Sequence, residues 1–449
     1  MRRLRTRRRV VRDQPENSHA LGKYLLSLFT ENSWALRRVE RIKQIDLSRF
    51  EVRTSVDLDL RKIRQQADLA GIASEDGLIV PLALFEKALH LDFDVRIADG
   101  EQLQLLTSEE NSVYSREMLL ALLRNEGCSE RFAQSVAEAI LQVTQPQDSL
   151  TSQLRVDTVD ANELLMRFVN PADRLKLAKV RDFFPLLERL RTHYLALVRI
   201  TDTDDAVTTV KYRFIEDGGE WKPTFLERIG LNYPTLEYSG QIGLSKSEHK
   251  LFEMPAGLIL DAALPVIQLE EVEGYLRLED VPAIRSRERS APKLYALHAK
   301  SEKRANFRQV IRMSPGLGEF HLPAVANVGL TLSMLLICLW FEAFGPSFSS
   351  LNETSSLVAI LALVPAILNG FLTLPGEHPV VARLFSTLRG MVFVVSGLTV
   401  VSGLLIALHA ASFWILTSLI VSASWGGMVI SLLLTSIVHT SRRQVQHSA

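Results

Sequence analysis

The chain has 449 residues, room for about two or three domains on the usual length relation. Lys and Arg together number 51 and Asp and Glu together 51, so no general affinity for nucleic acid is expected. The two cysteines, Cys128 in a polar stretch and Cys338 in an apolar run, exclude a disulfide framework and suit a reducing compartment.

The N-terminal arm, residues 1–18, carries Arg2, Arg3, Arg5, Arg7, Arg8, Arg9 and Arg12 and is expected to be disordered. Such a tail is solvated, sets topology, or is attracted to anionic lipid headgroups. No continuous apolar stretch follows the basic start, so no secretory signal is expected.

Residues 19–110 read as a β-rich module. From Glu51 to Leu60 polar and apolar residues alternate strictly, the pattern of a strand with one wet face. Residues 91–97 alternate as well, turn at Asp99-Gly100 and resume at Leu103 and Leu105, which predicts a hairpin. Asp57, Asp59, Asp92, Asp94 and Asp99 fit exposed strand faces better than a metal site.

Helical periodicity takes over in residues 111–201. Met118, Leu119, Leu122 and Leu123 share a face. After Gly127, Ser129 is the expected N-cap for a stripe of Phe132, Val136, Ile140 and Val143. A further helical stretch is expected over 162–200, broken near Pro171 and Pro185. Residues 202–312 then carry short strands separated by Pro and Gly, the signature of a β-sandwich-like domain. Gly316 and Gly318 read as a flexible hinge before the apolar region.

Residues 320–441 read as a four-helix transmembrane domain, since a crossing takes roughly 20 apolar residues. Spans are expected at 324–344, 355–374, 390–408 and 413–438, and no Lys, Arg, Asp or Glu occurs from Gly390 to Ser441. Every basic flank falls on one side: Lys300, Lys303, Arg304, Arg308 and Arg312, then Arg383 and Arg389, then Arg442 and Arg443. Both termini are therefore expected in the cytoplasm. Thr399, Gly403 and Ala407 on the third span and Ser418, Ser422 and Gly426 on the fourth give close-packing stripes, within one bundle or between subunits of a homo-oligomer.

Between the second and third spans, Leu374-Pro375-Gly376-Glu377-His378-Pro379 should stop one helix. An interfacial amphipathic helix follows, with Val381, Leu384, Phe385 and Leu388 opposite Arg383 and Ser386. Glu377, His378, Arg383 and Arg389 are the candidate residues of this loop, with helix capping as the default role and partner binding as the sharper one. No phosphate-binding loop, nucleophile elbow, histidine pair at metal spacing or cysteine pair occurs, so no catalytic residue, cofactor or metal is assigned.

Val80-Pro81-Leu82-Ala83-Leu84-Phe85-Glu86-Lys87, Phe93-Asp94-Val95-Arg96 with Asp99-Gly100, Leu105-Leu106-Thr107 with Glu110-Asn111, Pro255-Ala256-Gly257-Leu258 and the Pro375-Gly376-Glu377-His378 loop together resemble a group of uncharacterised bacterial, mainly actinobacterial, membrane proteins. The resemblance implies an inner-membrane setting and a cytosolic β-rich region before a transmembrane bundle, and it carries no activity.

The sequence thus reads as an α+β multidomain membrane protein. The leading expectation is a non-enzymatic multi-pass protein of the bacterial inner membrane, whose cytosolic region binds a protein or ligand. An oligomeric pore-forming or membrane-perturbing effector, and an enzyme with an unrecognised active site, are the alternatives.

Overall fold

The computed structural model of the chain describes residues 15–46, 48–72, 77–86, 91–98, 100–144, 165, 167–180, 182–201, 205–217, 222–229, 231–232, 234–242, 244–255, 257–260, 266–270, 285–288, 294–299, 305–315, 320–345, 355–372 and 378–448. The N-terminal half carries α1 (Pro15–Thr30), β1 (Ala35–Gln44), β2 (Arg49–Asp59), α2 (Leu60–Ala70), β3 (Leu78–Glu86), β4 (Leu91–Ile97), α3 (Ser108–Asn125) and α4 (Glu130–Thr144). Next come α5 (Pro171–Leu177), α6 (Phe183–Thr192), β5 (His193–Ile200), β6 (Val207–Asp217) and the single turn α7 (Phe225–Arg228). Six further strands, β7 (Thr235–Ile242), β8 (Glu248–Glu253), β9 (Leu258–Leu260), β10 (Val266–Glu270), β11 (Arg285–Glu288) and β12 (Leu294–Ala299), precede the long β13 (Ala305–Pro315). The chain closes with α8 (Leu322–Phe344), α9 (Ser355–Leu372), α10 (Pro379–Ala407) and α11 (Ser412–Ser448).

A seven-stranded mixed sheet in the order β11-β12-β8-β1-β2-β6-β4 organises the soluble region. β1 runs antiparallel to β2 but parallel to β8. Its turn into β2 is tied by Asp46, whose Oδ1 accepts from the Ser48 and Arg49 amides at 3.0 and 2.9 Å. β2 covers the alternating run, with Val52, Thr54, Val56 and Leu58 turned inward. A second sheet, β10-β13-β7 with β9 on β13, meets the inner face through Tyr238, which packs edge-on against Phe50 and Phe252. β3 and β5 form a separate pair.

The helices cover this framework. α3 opens with a capping box between Thr107 and Glu110, and α4 buries Phe132, Val136, Ile140 and Val143 as its periodicity requires. α1 packs on α3 at Gly22, where a Cβ would collide with the backbone carbonyl of Glu117. That approach is open only to glycine.

Several expectations give way to longer-range pairing. Residues 1–14 of the expected arm lie outside the described residues, and α1 already begins at Pro15. The helix expected to run to Ile200 ends at Thr192. His193-Tyr194-Leu195-Ala196-Leu197-Val198-Arg199-Ile200 becomes β5, because its apolar and β-branched residues find a partner in β3. The second arm of the hairpin shrinks to a single bridge between Arg96 and Gln102. Among the described residues, the strands after residue 202 do not build a sandwich of their own. β6 and β8 flank the β1–β2 pair, so the two β-rich segments share one sheet.

Among the described residues, three helices are long and apolar enough to cross a membrane: Leu322–Phe344, Pro379–Ala407 and, within α11, Ser412–Val438. The expected interfacial helix and third span are one continuous helix, α10. Its early apolar face (Val380, Val381, Leu384, Phe385 and Leu388) is buried by protein. α10 ends where the sequence placed a break, with His409 in the left-handed region at φ 50°.

A single apolar cluster extends from Tyr24 and Leu25 in α1, through the sheets, to Phe320, Phe385, Val429 and Leu433 in the helical part. A second, smaller cluster of Leu335, Cys338, Leu361, Ile406, Ile415 and Leu419 lies in the bundle. The soluble region and the bases of the helices therefore share a core.

Candidate functional site

Two polar constellations stand out against this core. The first is in the seven-stranded sheet. β1 presents Arg38 and Glu40 inward two residues apart, and β8 presents Glu248 and Lys250 with the same spacing. The parallel register sets Arg38 beside Glu248 and Glu40 beside Lys250, so opposite charges meet. All four residues are at most 6% exposed. Arg38 Nε donates to Glu40 Oε1 at 2.7 Å, while its other nitrogens reach the Tyr212 hydroxyl at 2.5 Å and the Leu82 carbonyl at 3.2 Å. Lys250 Nζ donates to the second oxygen of Glu40. Glu248 accepts from the Leu244 and Ser245 amides.

Burial opposes charge on Glu40, yet the Lys250 and Arg38 charges outweigh it and hold the carboxyl at about 2. Glu248 goes the other way, because burial outweighs the cations near it and raises its pKa. Burial also pushes the Tyr212 phenol up to about 12. With both carboxylates ionised the four charges cancel. A slip of two residues would set Arg38 beside Lys250, so the quartet fixes the β1–β8 register at the cost of desolvating four ions.

The second constellation joins sheet to helices. His378 caps α10, with Nδ1 accepting from the Val380 amide at 3.4 Å and Nε2 donating to the Gln44 carbonyl at 3.0 Å. Both bonds require the neutral ring protonated on Nε2. Burial lowers its pKa and the nearby Lys43 charge adds to this, against the opposing Gln44 bond and Asp46 charge. Two turns further along α10, Phe320 stacks on Phe385 at 4.6 Å between ring centroids, and the Arg389 guanidinium lies 5.4 Å over Phe320. His321 Nε2 meets Ser436 Oγ at 3.0 Å, tying the start of α8 to the late turns of α11.

The sequence candidates fall into place around this junction. His378 and Arg389 belong to it, Arg383 points to the exposed side with Ser386, and Glu377 lies outside the described residues. In the bundle, Thr399 is buried and bonds back to the Val395 carbonyl. A Cβ on Gly403 would stand 3.4 Å from Leu361 of α9, and Ala407 is exposed. Ser418 is half-buried and bonds to the Ile415 carbonyl. Ser422 Oγ lies 3.1 Å from Ser402 Oγ of α10, and Gly426 sits against Leu332 and Val395. Ser422 and Gly426 thus face neighbouring helices of the same chain. The described acidic strand residues separate: Asp57 accepts from Thr209, Asp59 caps α2 and Asp94 pairs with Arg96, while Asp99 and the side chain of Asp92 lie outside the described residues.

Sequence reasoning missed the sheet quartet. Its only local trace is the pair of alternations Arg38-Val39-Glu40 and Glu248-His249-Lys250, each ordinary in a polar strand until the two are aligned. No protein-family model and no curated protein matches the chain.

Proposed function

We propose that the chain is a non-enzymatic, four-span protein of a bacterial inner membrane. In this reading its cytosolic β-rich region binds a protein or small ligand and is fixed rigidly to the helices. The observation that carries the reading is the shared core. The base of α10 is packed and hydrogen-bonded into the sheet region instead of hanging from a free linker.

The fourth span is α9. α8 and α10 both begin beside the soluble region, where Phe320 stacks on Phe385. The chain between them has to come back across the bundle, and α9 lies there, packed on α10 at Gly403. One-sided Lys and Arg flanks put the soluble region and both termini in the cytoplasm. The inward-facing Ser402–Ser422 pair and the Gly426 contact favour an anchor over an oligomeric pore, because the small-residue face is already used within one chain. Purified protein in proteoliposomes should pass neither ions nor a small fluorescent dye. Reproducible flux would replace this reading with the pore.

A further inference from the structure

Large apolar side chains exposed in the soluble region require an account when they sit together and close to a span. Phe225 and Leu226 are 60% and 51% exposed, adjacent, and on α7, which packs against α10. The geometry of α7 is closed. Thr224 Oγ1 accepts from the Glu227 amide at 3.4 Å, Glu227 Oε2 accepts from the Thr224 amide at 2.6 Å, and Arg228 Nε donates to the Pro223 carbonyl at 3.1 Å. Glu227 and Ile229 turn inward, so the acid is hidden and the two apolar residues form the tip.

Two cations flank this tip in the chain, Lys222, which is exposed, and Arg228, which is half-buried; Arg383 is exposed on the early part of α10, the helix that α7 packs against. A crossing takes roughly 20 residues, whereas α10 has 29. The charge-free stretch begins only at Gly390, after Arg383 and Arg389, so the surplus turns, up to Arg389, stand at headgroup level. Those same turns carry the apolar face that the protein covers, so they cannot serve as the lipid-facing amphipathic element.

We propose that α7 is that element: a rigid wedge that seats Phe225 and Leu226 at the headgroup–acyl boundary, with Lys222, Arg228 and Arg383 meeting anionic headgroups. It rests on the membrane reading above and adds a second, peripheral contact between the soluble region and the bilayer.

Nitroxide labels on single cysteines test it, in the full chain with Cys128→Ser and Cys338→Ala, reconstituted in vesicles of phosphatidylcholine with one quarter phosphatidylglycerol. Labels at Phe225→Cys and Leu226→Cys should collide preferentially with oxygen over a water-soluble nickel chelate. Val400→Cys, on an exposed face of α10, should do so more strongly, and Leu69→Cys on α2 should show the aqueous pattern. An aqueous pattern at 225 and 226 with a lipid pattern at 400 would overturn the wedge and leave the membrane reading standing. An aqueous pattern at 400 would overturn both. In vesicles without phosphatidylglycerol the depth at 225 should decrease, and an unchanged depth would remove the role assigned to the cations.

Discussion

Glu40 on β1 takes the ammonium of Lys250 on β8 with one carboxylate oxygen and the guanidinium of Arg38 with the other. Two cations thus depend on one buried anion, with Glu248 as the only other acid of the quartet. Glu40→Gln keeps the shape and removes the charge, so it should destabilise the fold by about 3–5 kcal/mol, the usual cost of breaking a buried pair from one side. Glu248→Gln retains an acceptor for the Leu244 and Ser245 amides and removes a carboxylate that burial disfavours, so its cost should stay within about 1 kcal/mol. Thermal unfolding in detergent measures both. Equal losses would contradict the unequal roles given to the two acids.

The same pair sets a pH dependence. Glu40 is held at about 2 in the fold against an ordinary 4.5. A lowered carboxyl pKa stabilises the fold fully above pH 4.5, and that stability is lost as pH falls toward 2. Melting temperature should therefore drop across this window in the wild type and drop less in Glu40→Gln.

His378 links sheet and bundle through two bonds that need its neutral ring. Its pKa is lowered from the ordinary 6.5, so its contribution is present above pH 6.5 and is lost as the pH falls through its folded value. His378→Ala should cost roughly 1 kcal/mol through the lost cap and the lost Gln44 bond. It should also raise amide exchange at the start of α10 more than in α4. Uniform exchange changes would show that His378 does not hold the junction.

Gly426 tests how the last helix packs. An alanine methyl would stand 3.5 Å from Leu332 Cδ1, an ordinary contact, so Gly426→Ala should be nearly neutral. Gly426→Leu has no room between Leu332 and Val395 and should destabilise the bundle by about 1–3 kcal/mol. If Gly426→Leu leaves the monomer's melting point unchanged but removes crosslinked multimers, the stripe is a subunit seam instead.

Much of the local structure was legible. β2 and the stripe of α4 follow from periodicities of two and 3.6, and the break at His409-Ala410-Ala411-Ser412 from an uncharged stretch too long for one crossing. β1 was not, since Arg37, Arg38, Glu40, Arg41 and Lys43 look uniformly solvated until Glu248 and Lys250 arrive from 210 residues away. α10 divides into two pieces in the sequence for a related reason. An apolar stripe opposite Arg383 suits a bilayer surface or a protein surface equally, and only Phe320 and the soluble core decide between them. The hinge expected at Gly316 and Gly318 lies outside the described residues, but the apolar cluster continues across that point in the chain. A fragment of residues 13–312 should therefore aggregate or need detergent, and a monomeric, cooperatively folded fragment would contradict the shared core.

The most direct measurement places one cysteine at a time in the full chain lacking its native pair and labels intact cells with an impermeant maleimide. Ser350→Cys, between α8 and α9 in the chain, should label from outside, and Ser386→Cys, on the exposed face of early α10, should label only after lysis. Labelling of Ser386→Cys from outside with protection of Ser350→Cys would invert the molecule. Labelling of both from outside would remove the fourth crossing.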